Sequence, residues 1–185
     1  LLTALPPGAL MMLAAVPLVL VPHHARQVVM LLAIAGSAFS LTAGAGQHLN
    51  IEMLGFEMSL YRADHLSLPF AIVFHIAAAL NVFYGWHERK ATDHVAGFSY
   101  AGAAIAALHA GDLVTLFIWW EATAVTSVFL ILASGTARAR HAAMRYLIVQ
   151  VLSGVLLLSG AAMIFADTGS LAFGSMELGS MATWL

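Results

Sequence analysis

The sequence predicts an all-α integral membrane protein, with six transmembrane helices and a short extracytoplasmic β-hairpin between the second and the third. Of its 185 residues, 62% are apolar and only 9% are charged, whereas an ordinary soluble domain has roughly 45–50% apolar and 25% charged residues. So few charges would leave large apolar patches on a water-exposed surface, which soluble monomers avoid. Lipid is therefore the expected solvent, and residues 1–185 are expected to form a single membrane domain.

Six segments are apolar and long enough to be membrane spans. A helix needs about 20 mostly apolar residues to cross a hydrocarbon core of about 30 Å. The segments lie at about 5–21, 25–43, 64–86, 94–109, 111–133 and 142–166. Pro17 is expected to kink the first, and the small residues Gly36 and Ser37 should let the second approach a neighbouring helix closely. The fourth is rich in alanine and glycine, so we expect it to pack inside the bundle.

Between the second and third spans, apolar and polar residues alternate. The alternation runs over 49–53 and resumes over 56–60, with Gly55 at the bend. A period of two with a glycine between the two runs predicts a β-hairpin. It is expected outside the bilayer, because open strand edges are not tolerated in hydrocarbon.

The basic residues predict the orientation. Six of the seven fall in or beside alternate loops, at Arg26, Arg89, Lys90, Arg138, Arg140 and Arg145, and only Arg62 lies on the opposite side. The positive-inside rule makes the first side cytoplasmic. We therefore expect a multi-pass protein of the cell inner membrane, with both ends of the sequence on the outer, periplasmic face. The net charge is −2, whereas nucleic-acid-binding proteins carry a strongly basic surface, so that class of function is excluded. The sequence has no cysteine, which excludes thiolate metal sites and disulfides.

Glu121 is the strongest candidate functional residue. It lies nine residues after Asp112, which is about 13 Å along the fifth helix and near the bilayer midplane. A carboxylate there should pair with a cation or hold a proton near neutral pH, and either outcome suits a proton relay. The structural alternative is a protonated glutamic acid that donates one hydrogen bond between helices. Asp112 itself is expected to cap the fifth helix.

Arg145 and His75 are the further candidates for the proton pathway. Arg145 is expected about one turn inside the sixth helix, about 10 Å from Glu121 along the membrane normal. Its alternative role is a snorkelling anchor. His75, in the middle of the third span, is a weak candidate, because a lone membrane histidine is more often a satisfied packing residue. Together with His109 it could hold a haem between two helices, but the two residues lie at different depths, and no cofactor or metal is predicted.

Two stretches resemble a known family. GDLVTLFIWWE at 111–121 and AMRYLIVQVLSG at 143–154 resemble the antiporter-like subunits of Mrp-type sodium/proton antiporters, the D subunit in particular, and of respiratory complex I. The resemblance implies that the fifth-helix glutamate, here Glu121, is an essential member of the proton pathway. It also matches a lysine early in the sixth helix to Arg145. Because arginine holds its proton far more tightly than lysine, Arg145 could keep Glu121 ionised but would carry protons poorly.

Besides the arginine in place of lysine, the sequence departs from the family in its length. Such subunits have many more helices, and a lysine opposite the glutamate lies on a seventh helix, where this sequence ends at Leu185. We expect the N-terminal part of an ion-translocating subunit inside a larger membrane complex, rather than an enzyme by itself. Lipid and other membrane subunits would be its partners, including a chain or segment that supplies the later helices. The sequence leaves three possibilities open for this chain: a fragment, one part of a split subunit, or a truncated, non-catalytic structural subunit.

Overall fold

The computed structural model describes residues 6–43, 46, 48–53 and 55–173. Leu5, where the sequence predicts that the first span begins, and the C-terminal end of the sequence lie outside them. These described residues form six α-helices and two β-strands, which follow one another in sequence order. The helices are α1 (Pro7–Ala15), α2 (His23–Ser40), α3 (Ser67–Tyr84), α4 (Ala91–Leu108), α5 (Leu113–Leu132) and α6 (Ala137–Thr168), and the strands between α2 and α3 are β1 (His48–Met53) and β2 (Phe56–Arg62).

Three of the six helices, α3, α5 and α6, are long and apolar enough to cross a membrane. α1 is shorter, and it passes at Val16–Val19 into a 3₁₀ turn that contains Pro17, as expected where a proline breaks the hydrogen-bond ladder. α2 and α4 are as long as α3 but are less apolar, and they are not among the helices apolar enough to cross a membrane. The helical membrane fold is thus supported for three of the predicted spans, and the other three crossings remain a prediction.

α4 is the central helix of the bundle. It packs against α1, α3 and α5, whereas α6 packs against α5. A Cβ atom built on Gly102 of α4 would lie 2.9 Å from the Gly8 carbonyl oxygen and 2.9 Å from Met12 Cγ. The backbones of α1 and α4 can therefore meet this closely only because both positions are glycine. The prediction that the fourth helix packs inside the bundle is confirmed.

A small sheet closes one end of the bundle. β1 and β2 pair antiparallel, with Ile51 opposite Met58, and Gly55 turns between them at φ +80°. β2 in turn bonds the α4–α5 connection, since the Arg62 amide donates to the His109 carbonyl at 2.8 Å. Gly111 donates to the Ser59 carbonyl at 3.0 Å. The sheet therefore lies where the alternating pattern predicts a hairpin, and it is fixed to the start of α5.

The opposite end of the bundle holds most of the basic residues. The buried Arg26 guanidinium donates to the carbonyl oxygens of Leu18, Val21 and Arg89, each at 3.2 Å. Lys90 Nζ lies 3.4 Å from the Ala133 carbonyl oxygen, just before α6 begins. These contacts join the loops that carry the basic residues, so the bundle has one basic end and one end that carries the sheet.

Candidate functional site

The candidate site is the contact between α5 and α6 at Glu121. Glu121 lies in the ninth position of α5, about 12 Å from the start of the helix, and its side chain is partly buried. Its Oε1 atom is fully buried and has no hydrogen-bond partner among the described residues. A buried carboxyl oxygen without a partner costs on the order of 1–3 kcal/mol, so this position is one where a proton or a cation would be stabilising.

Gly154 of α6 makes the room for this carboxyl group. Gly154 is buried, and a Cβ atom at its position would lie 3.0 Å from Glu121 Cδ and 3.4 Å from Phe117 Cε2, with Oε1 nearer still. About two helical turns toward the basic end, Ser127 Oγ and Tyr146 OH form a hydrogen bond between the two helices, at 2.8 Å. The α5–α6 contact thus combines an unpartnered carboxyl oxygen with hydroxyl groups in an otherwise apolar interface.

Arg145 is not part of this contact. It is exposed, and it lies nine residues before Gly154, which puts it on the opposite face of α6 and about 13 Å away along the axis. The sequence predicts it about one turn inside the helix, but α6 begins at Ala137, because the Thr136 hydroxyl caps it through the Ala139 amide at 3.1 Å. Arg145 therefore lies just over two turns in, and the structure does not bring it to Glu121.

Asp112 caps α5, as predicted. Its carboxylate accepts from the Thr115 amide at 2.7 Å and from the Thr115 hydroxyl at 2.8 Å. It also accepts from the Ser59 amide of β2 at 2.6 Å, a link that the sequence does not suggest. The capping carboxylate thus positions the start of the helix that carries Glu121 and joins it to the sheet.

His75 lies in a different part of the bundle. It is 4% exposed in the middle of α3, where Nδ1 is 2.7 Å from the Ala71 carbonyl oxygen and Nε2 is 2.8 Å from Ser37 Oγ. His109 follows α4 and is fully buried. Its Nδ1 donates to the Ile105 carbonyl at 2.8 Å, and its Nε2 has no partner among the described residues. Both rings are thus tied to a carbonyl of their own helix, four residues earlier.

Two residues near the candidate groups, Gly154 and Ser37, are not recognisable from the sequence alone. Gly154 lies within the stretch that carries the family resemblance, but only the packing of α6 on α5 shows that it faces Glu121. The sequence presents Ser37, like Gly36, as a small residue for close packing. In the structure Ser37 is buried, whereas Gly36 faces outward, and no atom of the described residues lies within 4 Å of a Cβ atom at its position. A hydroxyl in an apolar span is the signal that could have distinguished the two.

Comparisons with known proteins agree with the resemblance. Residues 110–184 match the family described as NADH:quinone oxidoreductase/Mrp antiporter, TM. NADH-quinone oxidoreductase subunit N of Beutenbergia cavernae is 42% identical over 79 residues, which cover 40% of this chain and 14% of that protein. The D subunit of the Na(+)/H(+) antiporter of Alkalihalophilus pseudofirmus is 34% identical over 61 residues, 33% of this chain and 12% of that protein. The resemblance to antiporter-like membrane subunits is confirmed.

The fold of this chain is also seen in a solved structure. A chain in the structure of the Mrp complex from Dietzia sp. aligns with a TM-score of 0.77 and 22% identity, over 90% of this chain and 20% of that one. At this identity the likeness concerns the fold. The chain spans only 14% of the N subunit, 12% of the D subunit and 20% of the Mrp chain, and Glu121 lies within residues 110–184, which match the family.

Proposed function

We propose that this chain is part of a proton- or cation-translocating, antiporter-like subunit of a multi-subunit membrane complex, with Glu121 in the proton pathway. The observation that carries the proposal is the buried, unpartnered Oε1 of Glu121 beside Gly154, inside the segment that matches the family. A carboxyl group in this environment can take up a proton and release it again as its surroundings change. His75 is the weaker candidate for the pathway, and the proposal does not need it.

The position of Arg145 shapes its proposed role. As an exposed residue on the far face of α6 it would act on Glu121 only through the field of a fixed charge, or face a neighbouring subunit. A basic partner for Glu121 would then come from another segment or chain of the complex. In this proposal six helices cross the inner membrane, the basic end lies in the cytoplasm, and the sheet and both ends of the sequence lie on the outer face.

The proposal is tested by replacing Glu121 in the intact complex, reconstituted in vesicles. Glu121→Gln keeps the size of the side chain but cannot cycle a proton, so cation/proton exchange should fall to the level of empty vesicles. Glu57→Gln is the matched control, because Glu57 is exposed on β2, and it should leave exchange unchanged. If Glu121→Gln exchanges cations and protons at the wild-type rate, the proposal is wrong.

A second candidate function is a non-catalytic subunit that uses the same bundle as a structural element of another assembly. The arginine in place of a lysine, exposed and remote from Glu121, favours it. Purification of the chain with an assembly that has no ion-translocating activity would support this function. Loss of exchange in Glu121→Gln would exclude it.

A further inference from the structure

A hydrogen-bonded group of three residues lies inside the bundle, away from Glu121. The Ser37 hydroxyl of α2 lies between two partners, the ring of His75 in α3 and the Pro7 carbonyl of α1. Ser37 Oγ lies 2.8 Å from His75 Nε2 and 2.7 Å from the Pro7 oxygen. Ser37 is 1% exposed and His75 is 4% exposed, so bulk water does not replace these contacts.

The hydrogens of this group can be assigned from its acceptors. His75 Nδ1 lies 2.7 Å from the Ala71 carbonyl oxygen, which can only accept, so Nδ1 carries a hydrogen. In the neutral ring Nε2 is then a bare acceptor, and the Ser37 hydroxyl donates to it. The Pro7 oxygen at 2.7 Å is also only an acceptor, and the single hydroxyl hydrogen cannot serve both.

We propose that His75 and Ser37 form a proton-binding site, in which a proton from water binds His75 Nε2 while the Ser37 hydroxyl turns from Nε2 to the Pro7 carbonyl. In the neutral state Ser37 donates to Nε2. In the charged state Nε2 donates to Ser37 Oγ, and Ser37 donates to Pro7. Each state therefore gives Nε2 a hydrogen-bond partner, which lowers the cost of placing the charge in the interior. The proton comes from a hydronium ion, whose O–H bond breaks to leave water, and the only covalent bond that forms is N–H at Nε2.

Among the described residues, few other titratable groups surround the site. α2 contributes the Ser37 hydroxyl, α1 contributes the Pro7 carbonyl, and from the side of α4 the group that interacts electrostatically with His75 is His109. Asp64, which precedes α3, acts on His109. The site shares no residue with the α5–α6 contact, so it goes beyond the proposed translocation through Glu121 and stands without it.

The test uses the full chain in lipid nanodiscs, with ¹⁵N-labelled histidine rings and the His75 signals identified by their loss in His75→Gln. At the alkaline end of roughly pH 5–8, where histidine titrates, Nδ1 should be protonated and Nε2 bare. Acidification to the lower end should give a His75 ring protonated on both nitrogens. Two results in the wild type would each overturn the proposal without any variant. One is a His75 ring that carries its hydrogen on Nε2 at the alkaline end, and the other is a ring that stays neutral over the whole pH range.

Variants of α2 separate the hydroxyl from general packing. Ser37→Ala removes the rotating donor, so the doubly protonated signal of His75 should be lost, and Ser37→Thr, which keeps the hydroxyl, should restore it. Ser40→Ala is the matched control, because Ser40 is buried on the same helix and donates to the Ser37 carbonyl at 2.6 Å. Glu121→Gln should also leave the signal in place. Proton uptake in Ser37→Ala equal to that of the wild type would contradict the assigned role of Ser37.

Discussion

Gly154→Ala is a direct test of how Glu121 is positioned. The added methyl carbon would stand 3.0 Å from Glu121 Cδ, whereas non-bonded carbon atoms pack at about 3.5–4.0 Å. Because Oε1 lies closer still to the added carbon, the carboxyl group must retreat by about 1 Å or more to restore ordinary contact distances. The end of the glutamate side chain can move more easily than the backbone of either helix.

The variant should change transport far more than stability. Alanine is favoured over glycine in a helix interior by about 1 kcal/mol, and an off-rotamer glutamate costs about 0.5–1.5 kcal/mol. The free energy of unfolding should therefore change by less than about 1 kcal/mol. A reacting group misplaced by 1 Å can lose on the order of 10²-fold in rate, so exchange by the intact complex should fall roughly 10- to 100-fold.

The assay is cation/proton exchange in vesicles, with thermal unfolding of the same preparations. Gly97→Ala is the matched control, because among the described residues a Cβ atom on Gly97 of α4 meets only Leu130 Cδ2, at 3.8 Å. It should keep wild-type exchange. If Gly154→Ala and Gly97→Ala exchange equally fast, the space beside Glu121 does not matter for translocation.

Three further predictions concern stability and are read from thermal unfolding of the chain. Asp112→Ala removes a cap and leaves the Ser59 amide without its acceptor, so it should cost about 1–3 kcal/mol; an unchanged unfolding temperature would contradict the cap. Gly102→Ala should destabilise by about 1–3 kcal/mol through overpacking against α1, whereas Gly97→Ala should not; equal effects would refute the close crossing. A hydrogen bond from a backbone amide chiefly holds the pKa of Asp64 below its usual 3.8, so its carboxylate stabilises the fold above about pH 4 and this contribution is lost as pH falls through the lowered pKa. Asp64→Asn should flatten the acid part of the stability profile, and a profile identical to that of the wild type would contradict this.

The helices could be read from the sequence because hydrophobic length and local signals determine them. Asp112 caps α5 through Thr115, three residues away, and such a contact depends on neighbouring residues alone. Pro17 likewise lies in a 3₁₀ turn, because the proline ring acts on its own turn. The basic residues also gather at one end of the bundle, as their placement in alternate loops predicts.

The geometry of the candidate site could not be read in the same way. Which face of α6 meets α5 depends on the packing of both helices, so Gly154 could not be recognised as the residue beside Glu121. The same packing puts Arg145 on the far face of α6, although the family resemblance suggests that Arg145 could keep Glu121 ionised. Ser37 is a long-range partner of His75, from a helix 38 residues earlier, and no local pattern reports such a contact.

Translocation through Glu121 requires that this residue change its protonation state during transport. Infrared difference spectra of the reconstituted complex, recorded as the ion gradient is imposed, observe this change through the C=O stretch of a protonated carboxyl group. We expect a carboxyl band in the wild type that is absent in Glu121→Gln and retained in Glu57→Gln. The same band in the Glu121→Gln spectrum, together with unaltered exchange, would contradict a role for Glu121 in the proton pathway.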